Sequence, residues 1–227
     1  HLQNSMDILY EDNHIIIVNK AAGEIVQGDK TGDRTLCDDV KAYIKETCAK
    51  QGAVFLGIPH RLDRPVSGVC VFARTSKALE RLKKMFREGS IEKRYHAIVC
   101  TPPREPAAEL RHYLTRNEKQ NKSYAFKAEK AGAKLGVLDY ATIGKSDRYT
   151  LLEINLHTGR HHQIRCQLAA IGCCIKGDLK YGAPRSNPGG SVSLHARSIS
   201  FEHPVSHRHI DITAPYPEDD IWHVFGE

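Results

Sequence analysis

The chain lacks any apolar run approaching the ~18 residues that cross a bilayer, and no leader-like stretch opens it. A cytoplasmic protein with no membrane partner is therefore expected. Also missing are the glycine patterns that cradle nucleotides. Neither G-x-x-x-x-G-K-[ST] nor G-x-G-x-x-G occurs, so no nucleotide cofactor is expected. A G-x-S-x-G elbow is absent as well, which argues against a serine hydrolase of that type. The seven cysteines, Cys37, Cys48, Cys70, Cys100, Cys166, Cys173 and Cys174, are odd in number, and none pairs at C-x-x-C spacing. Disulfide frameworks and zinc knuckles are disfavoured, and buried reduced thiols are the simpler account.

What is present is an ordinary globular composition, 41% apolar and 26% charged, over 227 residues, enough for a sizeable core. Residues 1–5 read as a remnant ahead of Met6. No repeat or low-complexity linker divides the rest, so 6–227 is expected to form a single domain, a monomer. The net charge of +6, from 33 Lys and Arg against 27 Asp and Glu, favours a polyanionic partner without requiring one.

Asp7–Asp12 and His14–Lys20 read as strands joined by a tight turn. Thr35, with Asp38 three positions on, predicts a helix start; Leu36, Val40, Tyr43 and Ile44 share its apolar face, and Gly52 is its expected stop. Ala53–Leu56 and Val69–Ala73 read as short buried strands. A second helix starts at Thr75-Ser76 and ends at Gly89, with Leu79, Leu82, Met85 and Phe86 inward and a basic outer face. Lys93–Val99 is a strand, 109–128 a basic hairpin, and 137–143 with 149–156 a further pair. The segment from Gly159 turns into a helix with Ile164, Leu168 and Ile171 on its stripe, which puts Arg165 on the face of His161. Ala183–Gly190 reads as a mobile loop, and Ser193–Phe201 and His209–Thr213 close the strands. Strands outnumber helices and short turns join them, so the expected class is α+β, a mainly antiparallel or mixed sheet flanked by helices.

Between two apolar runs lies Pro59-His60-Arg61-Leu62-Asp63-Arg64-Pro65-Val66-Ser67-Gly68, rich in residues that strands avoid. Irregular loops on rigid strands often carry catalytic groups. Arg61 and Arg64 flank Asp63 and favour its ionised form. An ionised, positioned carboxylate serves as base, metal ligand or nucleophile, and a structural Asp–Arg pair fits the segment equally well. The cluster His157, His161 and His162 suggests a metal, but no second group of ligands stands at suitable spacing, so none is expected.

Three segments resemble the signatures of the RluA-type RNA pseudouridine synthases. They are His60-Arg61-Leu62-Asp63 with Ser67-Gly68, then Lys93-Arg94-Tyr95-His96-Ala97-Ile98-Val99, then Thr158-Gly159-Arg160-His161-His162-Gln163-Ile164-Arg165. Gly177-Asp178-Leu179-Lys180-Tyr181-Gly182 and Leu194-His195-Ala196 with Phe201-Glu202-His203-Pro204 extend the likeness over about Ile8–Ala214. The resemblance implies a pseudouridine synthase fold with an RNA-binding cleft. It implies conversion of specific uridines in structured ribosomal or transfer RNA, with Asp63 the nucleophile and the target base flipped out. Tyr95 would pack on that base, Arg165 would hold Asp63, and Arg61 would enter the gap left in the RNA. With Arg61, the residues His60, Arg64, Arg160 and His161 are the RNA-binding candidates. Attack at C1′, a glycal route and attack at C6 all remain open, and none requires a cofactor. Two departures stand out: Val66 replaces the usual Thr, and no S4-type RNA-binding module is expected ahead of the first strand. The competing readings are a catalytically silent RNA-binding protein on the same scaffold and a metal-dependent RNA hydrolase using the histidines.

Overall fold

Four consecutive side chains, Ile15 to Val18, are wholly buried, which a strand achieves only when both faces of its sheet are covered. The computed structural model describes residues 6–49 and 51–225, and the remnant read at residues 1–5 lies outside them. Two compact units share the chain. One comprises residues up to Ile91 with Arg197–Pro215, the other Glu92–Ala196 with the chain from Tyr216 on. Both are discontinuous in sequence, so no linker marks where one gives way to the other.

In the first unit, β1 (Asp7–Glu11), β2 (Ile15–Lys20) and β3 (Ser67–Ala73) form antiparallel ladders. β9 (Leu194–Glu202), which belongs to this unit from Arg197 on, follows β3 in the order, and β10 (His209–Thr213) pairs antiparallel with β9. Alternation sorts the side chains to opposite faces. Ile15, Ile17, Val69 and Val71 pack with Ala78 and Leu82 of α2 (Ser76–Glu88). Ile16, Val18, Cys70 and Phe72 pack with Leu36, Val40 and Ile44 of α1 (Leu36–Thr47). Each fully buried aliphatic side chain contributes ~1.5–3 kcal/mol. Both helices start as expected: Thr35 and Asp38 close a capping box, and Thr75 accepts from Ala78 N. Gly89 ends α2 with a left-handed φ of 74°, open to glycine without strain. Helix α1 stops at Thr47, well before Gly52.

In the second unit the order is β4 (Glu92–Val99), β8 (Thr150–Leu156), β7 (Lys134–Lys145), β5 (Ala107–Asn117), β6 (Lys122–Phe126), with antiparallel ladders throughout. α3 (Gln163–Ala170) packs through Cys166 against Leu114 and Tyr181. α4 (Asp220–His223) brings Trp222 onto Ile98 and Leu151. Among the described residues there are thus ten strands and four α-helices, the α+β class the sequence predicts.

Three local expectations are corrected. Ala53–Leu56 is no strand: only Gly57 bridges Ala73, and Phe55 is half exposed, because the strand pairing there is taken by β2. Helix α3 begins at Gln163, so His161 lies outside it, and its residues from Gln163 to Leu168 are all buried rather than amphipathic. Ala183–Gly190 is tethered, with Asn187 buried and bonded to Lys176 O and Ser193 Oγ. Removing the first capping hydroxyl tests the reading of α1: Thr35→Ala should lower stability by about 1 kcal/mol in urea unfolding, with native circular dichroism retained.

Candidate active site

The Asp63 loop is held from beneath by a buried lysine. Lys20 ends β2 at 1% exposure, and its Nζ donates to Ala21 O (2.9 Å), Arg64 O (3.0 Å) and Val66 O (2.6 Å). An ammonium carries three donors, and three carbonyls answer them. Two of those carbonyls, Arg64 O and Val66 O, lie in the turn that directly follows Asp63. Gly23 N also donates to Arg64 O, and Val66 N to Asp63 O. Burial pulls the Lys20 pKa down to about 8, against the opposing pull of nearby Glu24 and Asp63. Val66 contributes to this clamp through its backbone carbonyl and buries its side chain, so the usual hydroxyl at that position is not part of it.

Two of the loop's candidate RNA ligands are occupied within the unit. His60 Nε2 accepts from Val71 N at 2.9 Å and its ring stacks on Phe86, which fixes the loop's entry to β3 and α2. Arg64 donates to Gly23 O and to Asp33 (2.6 Å), tying down the Gly23–Arg34 loop. Arg61 is exposed, while Leu62 beside it is buried.

In the second unit a buried guanidinium is the centre of a polar cage. Arg165 is 5% exposed and Asp178 1%. Nε and Nη2 of Arg165 each reach a carboxylate oxygen of Asp178 at 2.8 Å, a bidentate pair. Nη1 lies 3.3 Å from His162 Nε2, and the Tyr181 ring lies 5.1 Å from the guanidinium carbon. Arginine only donates, so His162 Nε2 accepts and the ring proton sits on Nδ1. That proton goes to Tyr181 Oη at 2.7 Å, which also accepts from Ser123 N at 2.9 Å. Burial first, and then the Arg165 charge, push the His162 pKa down to about 2, so the ring stays neutral.

Local geometry explains how the sequence builds this cage. The Thr158–Arg160 turn is made by the Gln163 side chain, whose Oε1 accepts from Thr158 Oγ1 (2.7 Å) and Arg160 N (3.1 Å). His162 then takes a left-handed φ of 52° as the chain enters α3. Gly177 delivers Asp178 at φ 86°, where a Cβ would come within 2.4 Å of Asn187 Nδ2. Arg160 is exposed and donates to Leu135 O. His161 stacks on His162 at 3.7 Å and bonds Ser123 Oγ and Asn121 Oδ1. Tyr95 is half-buried on β4, opposite Ile154.

The sequence candidates thus divide, Asp63 in the first unit and Tyr95 and Arg165 in the second. Sequence reasoning had no role for Lys20, Asp178, His162 or Tyr181. The available signals were a single lysine ending a strand that opens with four buried aliphatic residues, and an Asp placed directly after glycine in Gly177–Gly182. No group of three or more His, Cys, Asp or Glu suited to a metal occurs among the described residues, and no described helix is long and apolar enough to cross a membrane.

A family model described as RNA pseudouridylate synthase matches residues 14–170, and the chain belongs to that family. Its members isomerise uridine within RNA, so the protein is a pseudouridine synthase, an intramolecular isomerase. An uncharacterized RNA pseudouridine synthase of Bacillus subtilis (strain 168), YlyB, is 30% identical over 217 residues, covering 94% of this chain and 70% of its own. Ribosomal large subunit pseudouridine synthase D of Zymomonas mobilis is 31% identical, with the same coverage. Among solved structures, human RNA pseudouridylate synthase domain containing 4 superposes with a TM-score of 0.77 at 22% identity, over 93% of this chain and 89% of that one. That likeness concerns the fold.

Removing the counter-ion tests the cage. Asp178→Asn removes the buried carboxylate that pairs bidentately with Arg165 and should cost about 3–5 kcal/mol in urea unfolding. Unchanged stability would show that Arg165 escapes to solvent. The Lys20 clamp predicts a pH effect. Its native pKa, about 8, lies below the ordinary 10.5, so the native state releases the proton first. Between those values the unfolded chain binds more protons, and this group's contribution to stability rises with pH. The clamp meanwhile loses one of its donors. Turnover should therefore fall with a limb near pH 8 without thermal destabilisation from this group, and the limb should be missing in Lys20→Met, already slow at pH 7.

Proposed function

We propose that the protein converts specific uridines of a structured RNA to pseudouridine with Asp63 as nucleophile. The observation that carries this reading is the Arg165 cage, in the segment that follows the family's pattern. Asp178 and His162 fix the plane of its guanidinium. The reading has Arg165 hold the Asp63 carboxylate ionised and aimed during the reaction. Asp178 shares the charge of Arg165, so its service to Asp63 is orientation more than neutralisation.

The target nucleotide is flipped from its stack, since its glycosidic bond is out of reach inside a helix. Tyr95 packs on the flipped base, and exposed Arg61 enters the gap, where a planar guanidinium stacks and hydrogen-bonds. The N1–C1′ bond breaks, uracil turns while held, and C5 joins C1′. N1 ends with a proton and C5 gives one up, so atoms balance with no added reagent. The name of the Zymomonas mobilis relative favours large-subunit ribosomal RNA over transfer RNA as the target.

The test is pseudouridine mapping on RNA from cells lacking the gene, treated with purified wild type or Asp63→Asn. Wild type should restore a discrete set of sites. Asp63→Asn should lower turnover at least ~1000-fold while keeping RNA affinity within about twofold. Wild-type turnover by Asp63→Asn would overturn the assignment.

A further inference from the structure

The β5–β6 hairpin carries a surface to which the catalytic reading assigns no residue. Register and alternation divide its side chains between two faces. Leu114, Ser123 and Ala125 point inward: Leu114 and Ser123 are buried, and Leu114 and Ala125 pack with Cys166 and Tyr181. Tyr113, Thr115, Tyr124 and Phe126 form the other face, Tyr113 opposite Phe126 and Thr115 opposite Tyr124. Tyr124 is 38% exposed and Phe126 half-buried. An open concavity of about 640 Å³ lies over this face, lined among others by Thr115, Asn117, Tyr124, Phe126, Lys119 and Lys130.

Charge accompanies the rings. Between Ala107 and Lys134, seven Lys and Arg stand against three Glu. Lys130 Nζ lies 4.0 Å over the Phe126 ring, and Lys122 Nζ, at the edge, lies 5.2 Å from the Tyr124 ring and 5.5 Å from that of Tyr181. Strand aromatics alone reflect β-propensity, and edge lysines alone discourage strand pairing. The combination on one hairpin differs: aromatic faces accept any base, and ammoniums beside them accept the linking phosphates.

We propose that this face is a stacking platform for an unpaired stretch of the substrate RNA, away from the uridine being isomerised. The proposal rests on the pseudouridine synthase reading for its partner and adds where that partner is gripped. The platform is rigidly joined to the Arg165 cage. Ser123 N donates to Tyr181 Oη, Ser123 Oγ bonds His161, and Lys180 Nζ donates to Gln120 O (3.1 Å) and Asn121 O (2.8 Å). RNA held on the outer face is thereby registered to Arg165 through the inner face of the same two strands.

The test uses a fluorescein-labelled oligocytidylate of about 12 nucleotides, which holds no uridine and reports binding apart from turnover. Anisotropy is compared with a blunt RNA duplex of matched length. Wild type should favour the single strand. Tyr124→Leu, which keeps apolar bulk, should weaken it about tenfold, and Tyr124→Phe, which keeps the ring, should restore it. Lys122→Gln and Lys130→Gln should each lower the salt slope by about one. A 5-iodocytidine version should cross-link to Tyr124 or Phe126. Equal affinity of wild type and Tyr124→Leu, or preference for duplex, overturns the platform, as it would if this edge instead received a protein strand. Were that result to come from a protein that still isomerises its RNA, the enzyme reading would stand while the platform fell. Ring-dependent binding by a protein that isomerises nothing would support the platform against that reading.

Discussion

A cation taken out of water must be met by acceptors, and that constraint shapes the catalytic candidates in both units. Lys20 and Arg165 are each at least 95% buried. Three carbonyls surround the first, and a carboxylate with a neutral imidazole surrounds the second. An unanswered buried charge costs several kcal/mol, so the chain folds around these groups only in arrangements that satisfy them. Two of the acceptors of Lys20 are the Arg64 and Val66 carbonyls just after Asp63, so satisfying the ammonium also sets the path of that loop. The acceptors of Arg165 come from the start of α3 and from the turn after Gly177, so the same demand fixes those two segments together.

The two solutions differ in kind. Backbone carbonyls do not titrate, which leaves the Lys20 clamp sensitive only to the lysine's own proton. The Arg165 cage relies on Asp178 for charge and on His162 for a lone pair. Burial and the adjacent guanidinium keep His162 neutral, so it remains an acceptor across the physiological range. A protonated imidazole there would set N–H against N–H. Tyr181 completes the arrangement by receiving the His162 proton, and its second donor, Ser123 N, carries the constraint into the β5–β6 hairpin.

Much of this was legible along the chain, for local reasons. Thr35 with Asp38, and Thr75 with Gly89, announce helix ends through bonds made within four residues. Alternation in Thr150–Leu156 and the basic hairpin around Lys119 follow from strand geometry alone. Failures occurred where a partner distant in sequence decided the outcome. Ala53–Leu56 has strand-like residues, yet β2 pairs with β3. His161 sits one turn from Arg165 by count, yet the Gln163 side chain builds a turn that keeps it out of α3. The resemblance pointed to Asp63, Tyr95 and Arg165, because each lies within a contiguous segment.

By itself the sequence determined the α+β class, the helix limits set by caps, the family and the segments bearing its signature residues. Each is written in contacts of short range or in contiguous order. Tertiary structure alone decided that Asp178 counters Arg165, that His162 is a neutral acceptor, and that Lys20 underlies the Asp63 loop. It also gave His60, Arg64 and His161, charged or polar by type, partners within the protein. The reason is physical: the desolvation that makes a buried ion seek a partner exists only once the chain has closed around it, and the partner is whichever group the fold brings within reach.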